Sequence, residues 1–403
     1  MAQGREAAVS TELRRGGDIS ERGLRYLVYA GLGVLFFFFG MGTLIVFLHT
    51  APLSALLLCT VAAILPVPIY AAVILWLDRH EKEPTSLLLA AFFWGAIVAT
   101  FISLLLNTGA GVILRAMWGP RWATVLTPSI VAPVVEESSK GLALLLLFLA
   151  ARGEFNNLID GLVYGGLVGL GFAMTENVLY FARAYTQGGI AGLGLIFIMR
   201  VILSGFIHPL FTGAIGAGLG YAREAPGALT KVGAPLLGYA CGMLGHALWN
   251  ATASLFDLAG VRPHPLVAVF VIVPAMSVVL ALPALVLLVW LAVAGWKREV
   301  RIIREQLRDE IGRKVVTEGE LAVLGDARAR SSMLTRTLIR QGPGAWMALR
   351  QLYELQVDLA FRKWHAARGE KLTSFQQATT EDEYRQRIGR IRDRLAAMGV
   401  TSE

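Results

Sequence analysis

Charge is what this sequence has least of. Asp, Glu, Lys and Arg make up 16% of its 403 residues, against about 25% in soluble domains. That shortage excludes an ordinary water-soluble fold. Cysteine is nearly absent. Cys59 and Cys241 each lie inside an apolar run, where a cysteine is expected as a small buried hydrophobe, not as part of a disulfide or a metal cluster. There is no Gly-rich phosphate loop, no nucleotide fingerprint and no His-Glu-x-x-His zinc signature. A cleavable secretory leader is not expected either. The first residues are polar and charged through Arg25, and no small-residue cleavage site follows the first apolar run.

What the sequence has instead is apolar length. It is 55% apolar, with a mean hydropathy of +0.59, and runs of about 20 or more apolar residues recur. The expected fold is all-α: a polytopic membrane bundle of about eight transmembrane helices with a C-terminal cytoplasmic helical region. The spans are read at Tyr26–His49, Leu53–Leu77, Leu87–Leu114, Ile130–Ala151, Leu158–Tyr185, Ile190–Tyr221, Val232–Phe256 and Leu266–Trp296. The Phe36–Phe39 run reads as lipid-facing bulk. The domains are then a tail at 1–25, a transmembrane domain at 26–296 and a helical region at 297–403.

Basic residues set the orientation. Arg14, Arg15, Arg22 and Arg25 precede the first span, Arg79 and Lys82 follow the second, and Arg152 follows the fourth. Arg223 and Lys231 follow the sixth, and Lys297, Arg298, Arg301 and Arg304 follow the eighth. Arg115, Arg121, Arg183 and Arg262 dilute the bias at the alternate junctions. Both termini are placed in the cytoplasm of a bacterial-type membrane. The pI near 9.6 reflects basic flanks beside a lipid bilayer, not affinity for nucleic acid. Beyond Trp296, Ile302, Ile303, Leu307 and Ile311 form one apolar stripe. Leu349, Leu352, Leu355 and Leu359, with Tyr353, form another. Gly342-Pro343-Gly344 breaks between them. This region reads as a solvated tail or a contact between copies of the chain.

Against that apolar background, four segments carry polar groups: Val135-Glu136-Glu137-Ser138-Ser139-Lys140, Gly171–Asn177 with Glu176, Phe206-Ile207-His208-Pro209, and Gly245–Asn250 with His246. A charge at the bilayer centre costs roughly 2.5–3.5 kcal/mol on insertion scales, and such residues mark functional sites by default. Glu136, Glu176 and His246 fall about six to ten residues inside the outer ends of their spans, a common level in the outer half of the bilayer. His208 reads as deeper, unless its helix starts late in the Gly-rich stretch 188–192. Gly161, Gly165 and Gly169, then Thr212, Gly216 and Gly220, then Gly238 and Gly242, put each group on a small-residue ridge suited to close helix packing.

Glu136 and Glu137 are about 100° apart on their helix, so they have different tasks. Glu137 and Lys140 are i, i+3 partners. These residue types suit peptide hydrolysis. One glutamate activates water as a general base and the other holds Lys140. His246 and Asn250, one turn apart, donate to a developing oxyanion. The set Glu136, Glu176, His208 and His246 also suits a divalent metal such as zinc. Metal and metal-free glutamate routes both stay open. His208 before Pro209 also reads as a kink with a satisfied histidine, Asp160 as a helix cap, and Arg200 as a structural partner for a carboxylate or a snorkelling side chain.

At these positions the chain resembles the PrsW family of intramembrane proteases, distant relatives of the CAAX-processing and bacteriocin-immunity membrane proteases. The matching pieces are Glu136-Glu137-x-x-Lys140, Asp160–Gly165, Gly171-Phe172-Ala173-x-x-Glu176-Asn177-x-x-Tyr180, Arg200 ahead of His208-Pro209-x-x-Thr212, and His246–Asn250. The Asp78–Pro84 junction resembles the family's inner loop. The resemblance runs from about Leu53 to Phe256. It implies a membrane endopeptidase whose active-site groups are Glu136, Glu137, Glu176 and His246. It also implies a membrane-anchored protein substrate, such as an anti-sigma factor, cut on the outer side. Glu176 stands where the prenyl-processing relatives have histidine, which argues against a CAAX substrate. The rival class is a transporter or a non-catalytic scaffold. The clustering of polar groups at one depth, and the lack of an internal repeat, count against it.

Overall fold

A computed structural model describes residues 23, 27–28, 30–80, 82–261, 263–368 and 380–400. The expected tail at 1–25, with Arg14, Arg15, Arg22 and Arg25, lies outside the described residues apart from Gly23, as does Arg262. Among the described residues every regular element is a helix. We number them α1 (Ala30–Thr50), α2 (Leu53–Leu75), α3 (Thr85–Trp118), α4 (120–150), α5 (158–188), α6 (Ile207–Glu224), α7 (Ala228–Leu258) and α8 (Pro265–Gly312). A short re-entrant helix at 190–203 stands between α5 and α6. The C-terminal region adds α9 (Glu318–Leu324), α10 (Ala327–Gln341), α11 (Pro343–Ala367) and α12 (Glu381–Ala397). α1, α2, α3, α8 and the α5–α6 stretch Leu158–Glu224 are long and apolar enough to cross a membrane. The chain is an integral membrane helical bundle.

The termini of these helices follow from local chemistry. Gly119, at φ 83°, separates α3 from α4. Pro128 has no N–H to give, and α4 passes it in a π turn at Thr127–Val131. α5 begins on a capping box. The Asn157 side chain accepts from the Ile159 and Asp160 amides, and the Asp160 carboxylate accepts from the amides of Asn156 and Asn157. Asp160 is therefore a cap.

The stretch read as a sixth span, Ile190–Tyr221, is not one helix. Gly189 adopts φ 59°, open to glycine but strained for other residues. There the chain reverses, so that residues 190–203 run back along α5 and Phe197 packs against Phe181. The returning helix ends in a π turn at Ile198–Leu203. It unwinds at Ser204–Phe206 and restarts as α6. Carbonyls freed inside a bilayer need partners. Tyr70 donates its hydroxyl to Val201, Ser204 donates to Met199 at 2.7 Å, and Ser277 donates to Leu203 at 3.3 Å.

α5 is the central helix. A β-carbon added at Gly161 would fall 2.0 Å from the Gly216 carbonyl oxygen of α6. One at Gly171 would fall 2.0 Å from the Phe92 carbonyl oxygen of α3. The glycine ridges are thus backbone-to-backbone contacts. They join α5 to α6 and α3, and Gly238 and Gly242 likewise bring α7 onto α6.

The C-terminal helices build their own core. Ile302, Ile303 and Leu307 of α8 meet Leu349, Leu352, Tyr353 and Leu359 of α11, while Ile311 and Leu355 are half-buried. This region docks on the 76–84 loop. His80 Nδ1 lies 2.8 Å from Glu299, Lys82 lies 2.6 Å from Glu354, and Trp296 donates to the Leu77 carbonyl at 2.8 Å. The Arg79 guanidinium lies over both Trp76 and Trp296, whose rings meet edge-on.

Two sequence expectations change. Cys59 is buried, but Cys241 of α7 is exposed. Phe37 and Phe38 face outward, whereas Phe36 and Phe39 are half-buried against Phe93 and Phe101. In a membrane helix both faces are apolar, so hydropathy cannot separate lipid-facing from bundle-facing positions.

Candidate active site

α4, α5, α6 and α7 place their polar groups at one level. Counted from the helix ends on the side of the C-terminal region, Glu136 lies 14 residues from Ala150 and Glu176 lies 18 from Leu158. His208 lies 16 from Glu224 and His246 lies 18 from Ala228. At 1.5 Å per residue that is roughly 21–27 Å, past the middle of a hydrocarbon layer about 30 Å thick. His208, which the sequence put deeper, joins the others because α6 starts inside the bundle.

These side chains border a cavity of about 360 Å³. Glu136, Glu176, His208, His246 and Asn250 all line it, and Glu137 stands behind it with no exposure. Glu136 Oε1 accepts from Asn107 Nδ2 at 3.2 Å. Its Oε2 is buried without a hydrogen-bond partner, 3.6 Å from Lys140 Nζ and 3.8 Å from His246 Nε2. Glu137 is fully engaged. Its Oε1 accepts from Lys140 at 2.8 Å and meets His246 Nδ1 at 2.9 Å, and its Oε2 accepts from the Thr212 hydroxyl at 2.9 Å. The 100° offset separates the two glutamates into one that faces the cavity and one that holds other groups.

His208 links both halves of the site. Lys140 Nζ lies 3.1 Å from its Nδ1, and Glu176 Oε2 lies 2.9 Å from its Nε2. A lysine ammonium donates only, so Nδ1 accepts and Nε2–H donates to Glu176. Glu176 also pairs with the Arg200 guanidinium, which donates to Asn177 at 2.6 Å and lies over the Tyr180 ring. Arg200 is a carboxylate partner, brought to Glu176 by the reversal at Gly189. Asn250 Nδ2 donates to the Pro128 carbonyl at 2.9 Å, tying α7 to the π turn of α4. Asn107 was missed in the sequence. A lone amide in an otherwise apolar third span was the signal.

Glu136, His208 and His246 offer one ligand atom each, all within 4.8 Å of one another. This donor set fits a divalent metal. The orphaned Glu136 Oε2 points at His246 Nε2, and Glu137 on Nδ1 fixes that ring's tautomer in the usual manner of a metal-ligating histidine. His208 would contribute by giving up one of its two present bonds. Glu176, read as a ligand from sequence, is committed to Arg200 and His208 and lies outside the triad.

A membrane-embedded helical bundle with a buried carboxylate–histidine cluster facing a cavity defines the class. Residues 83–280 match the model of a family described as PrsW family intramembrane metalloprotease, so that stretch is similar to the PrsW family. Among curated relatives it is 29% identical to Protease PrsW of Bacillus subtilis over 152 residues, 36% of this chain and 60% of that one. It is 30% identical to Protease PrsW of Geobacillus kaustophilus over 151 residues, 37% of this chain and 59% of that one. A third match, to Protease PrsW of Clostridioides difficile, is 31% identical over 104 residues. The chain thus spans about 60% of the length of the first two relatives. No solved structure matches it.

Proposed function

We propose that the chain is an intramembrane endopeptidase. It hydrolyses a peptide bond of a membrane-anchored protein, a regulator such as an anti-sigma factor, on the outer side of the bilayer, with its C-terminal region in the cytoplasm. The supporting relatives carry the name protease. The observation that carries the reading is the free Glu136 Oε2 beside His246 in a cavity on the side of the bundle away from the C-terminal helices.

On the metal-free route, Glu136 takes the proton from the attacking water and returns it to the leaving amine. Water's oxygen joins the carbonyl carbon, the C–N bond breaks, and a carboxylate and an amine result. Glu137 and Phe211 hold the His246 ring, which packs against Phe211 at 5.7 Å, with its Nε2 lone pair on the side of Glu136 Oε2. Asn250 keeps the π turn of α4 in place and presents the remainder of its amide to the cavity. Glu176, held by Arg200, orients His208. A divalent metal, when bound by Glu136, His208 and His246, would lower the pKa of water and polarise the scissile carbonyl.

The test is reconstitution with a single-pass reporter. Glu136→Gln should abolish cleavage while the protein stays folded. Cleavage at the wild-type rate rejects the reading.

A further inference from the structure

The cavity reaches beyond the catalytic cluster. On α5, Glu176, Tyr180 and Arg183 all line it. Their i, i+4 and i+7 spacing puts them on one face of the helix, in a column. Arg183 ends that column about 10 Å beyond Glu176, toward the end of the bundle away from the C-terminal region. Counted from Leu158, it stands about 37 Å along α5, outside a hydrocarbon layer of about 30 Å. The charges deeper in the cavity are matched. Glu176 pairs with Arg200, and Glu136 lies 3.6 Å from Lys140. Arg183 is different. It is exposed, and among the described residues no carboxylate stands within ion-pair distance of it and its guanidinium donates no hydrogen bond. The Thr186 hydroxyl bonds its carbonyl, not its side chain. An arginine that only snorkels to the headgroups sits on a lipid-facing stripe. Arg183 shares its stripe with Glu176 and with the Tyr180 ring over which Arg200 lies.

We propose that Arg183 is a specificity residue: it binds the carboxylate of an Asp or Glu side chain of the substrate, about three residues from the scissile bond on the side away from the C-terminal region. This rests on the endopeptidase reading above. An extended peptide advances about 3.3 Å per residue, so about 10 Å between the catalytic level and Arg183 spans three residues. The planar fork of guanidinium donors matches a carboxylate. At the headgroup level a substrate acid escapes the insertion cost of the hydrocarbon. About 10 Å is also a Debye length at 0.1 M salt, so Arg183 acts on that substrate residue and little on the reacting carbonyl.

The test uses the full-length chain in neutral detergent without phospholipid. Single-pass reporter peptides carry Asp, Asn or Lys at successive positions of the outer juxtamembrane segment. Binding is read on Glu136→Gln, which holds a reporter uncut, and cleavage on the wild type, with the cut mapped by mass spectrometry. The best Asp reporter should bind about fivefold more tightly than its Asn counterpart, the upper end for an exposed ion pair. The preference should peak about three residues from the cut and appear in KM, not in kcat. Arg183→Gln should remove the gap. Arg183→Glu should transfer the preference to the Lys reporter, which a merely structural arginine would not do. Equal binding of Asp and Asn reporters at every position overturns the proposal, as does a preference that survives in Arg183→Gln. Cleavage without any acid preference rejects the role of Arg183 and leaves the protease reading intact, whereas acid-selective binding with no cleavage does the reverse. If the Asp preference is absent and phosphatidylglycerol, but not phosphatidylcholine, raises the melting temperature of the wild type above that of Arg183→Gln, the arginine is a lipid contact and the proposal falls.

Discussion

His246 Nδ1 lies 2.9 Å from Oε1 of Glu137, a carboxylate with no surface exposure. The same oxygen accepts from Lys140. Glu137 thus shapes the cavity without entering it. Glu137→Gln keeps the shape but loses the charge that balances Lys140 and fixes the His246 tautomer. Cleavage should fall about 10–100-fold, the usual loss when a histidine's outer partner is changed. A Glu137→Gln rate equal to the wild type in the reporter assay would contradict this.

Glu136→Gln should be more severe, since the group meets the reacting water. Loss of a general base typically removes about 10²–10⁴ in rate. Cleavage kinetics check it, and a thermal melt in detergent separates chemistry from folding.

Metal content gives an independent reading of the same triad. If Glu136, His208 and His246 hold an ion, the purified wild type carries about one divalent metal per chain. His246→Ala and Glu136→Gln should each lose it, while Glu176→Gln keeps most of it. Elemental analysis of the preparations decides, and a metal-free wild type with full activity assigns the glutamate-only route.

The α5–α6 contact leaves no room for a side chain. Gly161→Leu should destabilise the fold by at least about 1–3 kcal/mol, the range of ordinary overpacking, because its neighbour is backbone that cannot rotate away. Gly233→Leu, on the open face of α7, should leave the melting temperature within a few degrees of the wild type.

Asp78, in the loop beneath the C-terminal region, is buried and accepts from the Glu83 amide at 2.8 Å. Burial pushes its carboxyl up to about 8, aided by Asp160 and Glu299 and opposed by the Glu83 amide and Lys82. Its folded pKa exceeds the ordinary 3.8, so the folded chain holds this proton more tightly than the unfolded one. Stability from this group is present at low pH and is lost as pH rises toward about 8. The melting temperature of Asp78→Asn should therefore fall less than that of the wild type between about pH 5 and pH 8. An identical slope would refute the assignment.

Much of the site was legible because ionisable groups are conspicuous in apolar runs. Glu136, Glu176, His208 and His246 were found that way, and i, i+3 spacing gave the Glu137–Lys140 pair. The glycine rows gave the faces that meet. What stayed hidden was topology inside one apolar stretch. Hydropathy over residues 190–221 is continuous, so a helix that returns at Gly189 and breaks at Ser204–Phe206 reads as a single span. That break sets the level of His208 and the reach of Arg200. Asn107 escaped because an uncharged amide barely lowers the hydropathy of its span. Cys241 and Phe39 were misjudged because lipid and protein interior are equally oily.

Where Gly161 meets Gly216, main chain rests on main chain. No deformable side-chain cushion separates the rod that bears Glu176 from the rod that bears His208. The gap across which those two groups bond is gauged by peptide planes instead of rotamers, so thermal jostling of nearby side chains leaves its width unchanged.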